Sequence, residues 1–422
     1  MSGGLLFISR ILVFLVVFVL VTNIARVILG ARIGIVPYQV HIASALVFTF
    51  LAILSGRFFR LSKANLVVLG WLASLSFVMI VSVLFVSNDY LALEVFKGIG
   101  RFIMMAVTFT VLMQNRELLP ASGYGALAAV VVSMVVSYME FTNPEFRIVR
   151  DVMFETDADR VGAQRIAGLH VDPNENGSLM VLGLFVTQYF LPKSLRFIFA
   201  LLIGFAVFTT ASRGSLILWL IVISVCFWLG VYSKGKVIPK ITALSIAAIF
   251  TLLVSTGQVP VIVNALNLEE YMNQNMIDRL SSGFLTQEDG STQARLIAIQ
   301  ENLENFGNHP IIGSGLGDSI SDKFTIGSHN MLLRMASELG LVGVMVYLSL
   351  LVVPIIAKSK EGFFFVVFFY ISNLFNHTAF ERSTFAILVP LAIIYFAAQP
   401  EKSRSKKRRR HRKRTENPGF YG

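Results

Sequence analysis

Apolar stretches close to 20 residues long recur along almost the whole chain, beginning with "ILVFLVVFVLVTNIA" at residues 11–25. A helix that crosses the hydrocarbon of a bilayer needs roughly 20 mainly apolar residues. This repeated pattern decides the fold class before any other feature is read: an all-α integral membrane protein. It predicts about twelve transmembrane helices, centred near residues 17, 47, 76, 104, 131, 183, 202, 222, 247, 347, 368 and 390. The helix near 202 is short, and the one near 368 stands beside polar residues. Composition agrees: 55% of the 422 residues are hydrophobic and 14% are charged, the balance of a polytopic membrane protein. The single cysteine, Cys226, lies in an apolar run, so neither a disulfide framework nor a cysteine metal cluster is available. The first apolar run is followed by many more, which is not the pattern of a cleaved signal.

Charge gives the orientation. The formal net charge is +11, but residues 402–414, "KSRSKKRRRHRKR", hold ten Lys and Arg, so the rest is close to neutral. Cytoplasmic loops of membrane proteins collect Lys and Arg. With the N-terminus inside, "GRFFRLSK", "QNREL", "PKSLR", "YSKGKVIPK", "AKSKEG" and the tail are all cytoplasmic, and every one carries Lys or Arg. The opposite loops are mixed or acidic, as in "SNDYLALE" and "DVMFETDAD", with Arg26 and Arg32 as the departure. The chain therefore divides into four parts. Residues 1–256 hold helices one to nine, with a medium outer loop near 141–172. Residues 257–328 form a long outer loop, 329–399 hold helices ten to twelve, and 400–422 form a basic cytoplasmic tail. The tail reads as an anchor beside anionic lipid, and no nucleic-acid partner is implied.

The long outer loop is structured by its pattern. In "STQARLIAIQENLENFG" (291–307), Leu296, Ile299, Leu303 and Phe306 make one helical stripe. Ser291 is placed to cap the helix, and Gly307 with Pro310 to end it. The expectation is an amphipathic helix lying over the outer mouth of the bundle.

Several residues on the outer side could carry chemistry. Arg213, in "FTTASRGSLILWL", opens a helix against both the positive-inside bias and the helix dipole, so an anion is its natural partner. A solvated, snorkelling arginine is the plainer alternative. Arg295 lies in the first turn of the loop helix, either solvated or leaning toward the bundle. His329 precedes the tenth helix, where Ser328 or Asn330 can act as cap. The helix dipole there favours a neutral imidazole able to accept a proton. In "QRIAGLHVDPNENGSLM", Arg165, Asp172, Asn174 and Glu175 gather before the sixth helix. The oxygens of Asp172, Asn174 and Glu175 could hold a divalent ion, but "DPNENG" is also a turn-and-cap sequence, and no metal is expected. "HPIIGSGLGD" (309–318) is glycine-rich, yet it lacks the strand before it and the Lys-Ser/Thr after it that a nucleotide loop needs.

Taken together, "SRG" at a helix start, "ARLIAIQENLENFGNHPIIGSGLG" and "SHNMLLRMASELGLVGVMVYL" resemble the O-antigen ligase and polymerase superfamily of membrane glycosyltransferases. The earlier "RIAGLHVDPNENGSLMVL" is similar to its arginine-to-"PN" segment. The resemblance implies an enzyme of the bacterial inner membrane with a periplasmic active face. It would move a glycan from an undecaprenyl-diphosphate carrier to an acceptor hydroxyl, on a glycan or on lipid A-core, without cofactor. It also implies His329 as general base and Arg213 and Arg295 as diphosphate ligands, with Arg165, Asn174 and Asn330 as supporting groups. A different class stays open: a secondary transporter or flippase, which would place ionisable residues inside spans. Arg101 and Glu338 are its main candidates.

Overall fold

The computed structural model describes residues 3–24, 37–55, 61–84, 89–143, 146, 165–170, 172–232, 237–265, 274–281, 290–320, 328, 330–374 and 379–398. Among these the chain is helical, with no strand. The helices are α1 (Gly3–Thr22), α2 (Pro37–Leu54), α3 (Lys63–Val83), α4 (Asp89–Leu112), α5 (Leu119–Thr142), α6 (Pro173–Thr187), α7 (Lys193–Thr209) and α8 (Arg213–Trp228). There follow α9 (Val237–Ser255), α10 (Val259–Ala265), α11 (Gln274–Ser281), α12 (Gly290–Asn308), α13 (Met331–Leu348), α14 (Val352–Ile356), α15 (Lys360–Asn373) and α16 (Ser383–Ala398).

A helix stands at each of the twelve expected centres. Among the described residues, five are long and apolar enough to cross a membrane: α1, α3, α4 from Leu91, α5, and α13 continued through α14 to Ile356. A sixth is gained if the pair Ala248–Val254 and Val259–Ala265, bent by 112°, counts as one span.

The surface has the inverted character of a protein solvated by lipid. Phe7, Leu46, Phe77 and Leu84 are exposed, while hydroxyls turn back onto their own helices. Thr22, Thr49, Ser76 and Thr108 each donate to the carbonyl four residues earlier, because in hydrocarbon a polar group must find its partner internally. Small residues bring helices together. The position of a Cβ on Gly125 of α5 lies 2.6 Å from the Phe14 carbonyl oxygen of α1, an approach that only glycine permits.

Helix starts are punctuated as the sequence reads. Ser62, Asp172, Ser212, Asn330 and Ser359 cap α3, α6, α8, α13 and α15 by accepting backbone N–H bonds. An aromatic knot of Trp71, Phe102, Tyr347 and Phe380, with ring centroids 5.0–5.9 Å from Phe380, ties α3, α4 and α13 to the turn before α16. That turn carries Glu381 and Arg382. At the same end of the bundle, Ser383 donates to Leu20 of α1 at 3.2 Å.

Two expectations for the loop helix are corrected. α12 begins at Gly290, so Ser291 lies inside it and not at its cap. Its apolar stripe also does not face the bundle. Leu303 is 51% exposed and Leu296 and Ile299 are exposed too, whereas Ala298 and Asn302 are buried. The face packed on α13 is polar because it bonds: Asn305 donates to Ser314 and Ser337 Oγ atoms, both at 2.7 Å.

α13 is broken. Gly340 has φ 63° and ψ −160°, so the backbone groups on either side lose their helical partners. The turn after α12 supplies them: Leu341 and Val342 donate to the Pro310 and Ile311 carbonyls, and Ser314 and Gly315 donate to those of Ser337 and Glu338. The glycine-rich "HPIIGSGLG" is thus the complement of a helix break.

Candidate functional site

The start of α6 is built around Arg165. Its Nε donates to the Thr210 carbonyl and its Nη2 to Asn174 Oδ1, both at 3.1 Å. Asp172 is used as the cap of α6, accepting from Asn174 N at 2.9 Å. The preceding segment is clamped to α5: Gly168 N donates to Glu140 Oε2 at 2.8 Å, and Asn176 donates to Ser137 at 2.9 Å. Gly168, at φ +59°, suits this turn because a Cβ would strike Ser137 and Asn176.

Thr210 leads directly into Ser212 and Arg213, so the starts of α6 and α8 are neighbours. A Cβ on Gly177 of α6 would lie 2.5 Å from Ser215 Oγ of α8. Arg213 is the first residue of α8 and is buried, unlike a snorkelling surface arginine. Two arginines, Arg165 and Arg213, therefore belong to one corner where two helix N-termini point, a corner that favours an anion.

Arg295 shares the inward face of α12, within about 60° of Ala298 and Asn302 at 100° per residue, and is half-buried. Asn330 caps α13, its Oδ1 accepting from Leu332 N at 2.9 Å and Leu333 N at 3.2 Å. His329 lies outside the described residues.

Residues 198–348 match the O-antigen ligase family. The match bears out the resemblance read from the motifs, over a little more than a third of the chain. Comparison with curated proteins gives no match. The O-antigen ligase segment contains Arg213, Arg295, His329 and Asn330 together with the break at Gly340. With the apolar helices, it makes the chain a helical membrane-type protein that is similar over this segment to the O-antigen ligases.

Outside the O-antigen ligase segment, the same end of the bundle holds a cavity of about 380 Å³. It is lined by His41, Glu94, Arg101, Glu175, Glu381 and Arg382, among others. Glu175 lies 3.2 Å from Arg382 Nη1 and 3.4 Å from His170 Nδ1. Glu381 meets Arg334 Nη1 at 2.7 Å, and Arg334 Nε meets Glu338 Oε1 at 3.1 Å. Glu338 also accepts from Ser319 at 2.5 Å. Glu175 follows Asn174, so the chain of polar groups runs from the α6–α8 corner through the cavity to the first half of α13.

Sequence reading had singled out Arg101 and Glu338 as ionisable residues inside spans and Glu175 as an oxygen donor. It had not found Arg334, Glu381 or Arg382. Arg334 and Glu338 are four apart on one helix, the spacing of an ion pair, which was the available signal. The pairs Glu381–Arg334 and Arg382–Glu175 span too much sequence to leave one. Among the described residues no group of three or more His, Cys, Asp or Glu could hold a metal ion.

Proposed function

We propose that the chain is a membrane glycosyltransferase that moves a glycan from an undecaprenyl-diphosphate carrier to an acceptor hydroxyl on the periplasmic side. The observation that carries this reading is the α6–α8 corner. Buried Arg213 opens a helix beside Arg165 and Asn174, inside or adjoining the segment that matches the O-antigen ligase family.

In the reaction, the acceptor oxygen forms a bond to the anomeric carbon. The carbon–oxygen bond to the diphosphate breaks, and its electron pair leaves with the phosphate. Arg213 and Arg295 would carry the developing charge, a guanidinium fork matching two phosphate oxygens at once. His329, immediately before the capping Asn330, would take the acceptor proton, a role worth about 10²–10⁴ in rate. A preactivated lipid donor removes any need for nucleotide.

The buried Arg334–Glu338 pair and the broken α13 favour a second reading, a transporter or flippase of the same pathway, since such proteins use broken helices and intramembrane charges. Deleting the gene and resolving surface glycan by gel separates the two. Loss of transfer leaves long carrier-linked chains on the periplasmic side, and loss of polymerisation leaves single repeats. Carrier-linked glycan retained on the cytoplasmic side would refute the transferase reading in favour of the flippase.

A further inference from the structure

The exposed stripe of α12 needs a solvent of its own, and the geometry of the helix break says which. Gly340 lies nine residues into α13, about 14 Å from its start at 1.5 Å per residue. The span Met331–Ile356 is 26 residues long, about 39 Å as helix, against roughly 30 Å of hydrocarbon. Centring that span on the bilayer puts Gly340 several ångströms inside the hydrocarbon. Ile311 goes with it, because Val342 N donates to its carbonyl at 3.2 Å and Leu341 N donates to that of Pro310 at 2.9 Å. Ile311 is 68% exposed and Ile312 is exposed beside it.

Non-helical backbone survives at membrane depth only where protein satisfies it. Here both sides are satisfied by each other. The exposed side chains around the turn continue an apolar surface already assigned to lipid: Leu341, Met345, Leu348 and Ile355 along the same span are exposed as well. Along α12, Leu296, Ile299 and Leu303 lie within about 60° of one another, and Gln300 and Glu304 lie about 60° and 100° round from Leu303. The helix therefore has three sides: Ala298 and Asn302 toward α13, the leucine–isoleucine edge, and an edge where Gln300 and Glu304 stand with exposed Ile297.

We propose that α12 and the turn at 309–312 are seated in the bilayer, with the Leu296–Ile299–Leu303 edge and the Ile311–Ile312 tip in contact with acyl chains. What reads in sequence as an outer loop is then a re-entrant element, with Gln300 and Glu304 left facing water. The seat is a property of these surfaces and does not depend on the transferase reading.

Single-cysteine variants of the full chain test it, in a Cys226→Ala background reconstituted into phosphatidylethanolamine–phosphatidylglycerol vesicles. Nitroxide labels go at Leu303→Cys and Ile312→Cys, with Glu304→Cys as the aqueous control and Met345→Cys as the lipid control. All four positions are exposed, so folding is not at stake. The expected result is loss of collision with an aqueous nickel chelate at 303 and 312, to the level at 345, with oxygen collision raised to match. Chelate collision at 303 and 312 as frequent as at 304 would overturn the proposal by placing the edge in water. Protection from both chelate and oxygen would also overturn it, by placing another protein surface there.

Discussion

Replacing Arg334 with methionine should be among the most damaging single changes in the molecule. The Arg334 and Glu338 side chains are 1% and 0% exposed, and that of Glu381 is 31% exposed. One guanidinium serves both acids, at 3.1 and 2.7 Å. Without it Glu338 keeps the Ser319 hydroxyl but no cation in this network. Breaking a buried pair by removing one partner costs about 3–5 kcal/mol. Glu381 can turn to solvent, so its share of the loss is about 1 kcal/mol or less, the value of an exposed pair. Glu381→Gln should accordingly be mild, and Arg334→Met more costly by about 3 kcal/mol. The double variant Arg334→Met/Glu338→Met should recover much of the deficit, because a well-packed apolar pair removes the stranded charge. Unfolding in mixed micelles with rising SDS, followed by tryptophan fluorescence, measures this. Trp71 donates to the Val346 carbonyl at 3.0 Å and so reports on α13 directly. If Arg334→Met and Glu381→Gln unfold within about 1 kcal/mol of each other, the buried network contributes no more than a surface pair, and the reasoning fails.

Three further outcomes are expected. Gly340→Ala forces a side chain into a region open essentially to glycine, with its Cβ 2.4 Å from the Ile311 carbonyl. It should cost about 1–3 kcal/mol in backbone strain before the clash is added, while Gly70→Ala, with nothing within 4 Å, should be neutral or stabilising in the same SDS titration. Arg213→Lys keeps the charge but loses the planar fork, and should weaken binding of a carrier-diphosphate analogue. His329→Ala should leave that binding intact and lower turnover by about 10²–10⁴; full transfer by a normally folded His329→Ala would show the histidine is not the base. Finally, transfer in washed membranes should survive EDTA, because arginines are expected to neutralise the diphosphate; activity lost and then restored by Mg²⁺ would redirect attention to the carboxylates of the cavity.

The helix positions were legible because lipid imposes one rule on every span, and that rule is written in local runs of apolar residues. The caps in "DPNENG" and at Asn330 were legible for the same reason, since each acts on the next two or three residues. The orientation of α12 was not. Its apolar stripe was plain, but a stripe points toward whatever is least like water, which in a soluble protein is the core and here is the lipid. The polar residue Asn305 was the sign that the helix is inside out, and it has meaning only once Ser314 and Ser337 stand opposite it. The break at Gly340 was hidden for a related reason. A glycine in "ELGLVG" is compatible with a straight span, and only the remote "HPIIGSGLG" makes a bent one affordable. The Arg334–Glu381 contact joins residues 47 apart, beyond the reach of any local pattern.

The break also bears on how the chain is made. Residues 331–356 are long and apolar enough to enter a bilayer as one straight helix. Bending at Gly340 strips partners from Leu341, Val342, Ser337 and Glu338, and each unsatisfied group in hydrocarbon costs several kcal/mol. The bend therefore cannot come before residues 309–315 dock, although those residues are synthesised first. Insertion and bending are thus separable steps, the second waiting on the docked turn. A chain lacking 309–315 should still insert residues 331–356 and yet fail to bend them at Gly340.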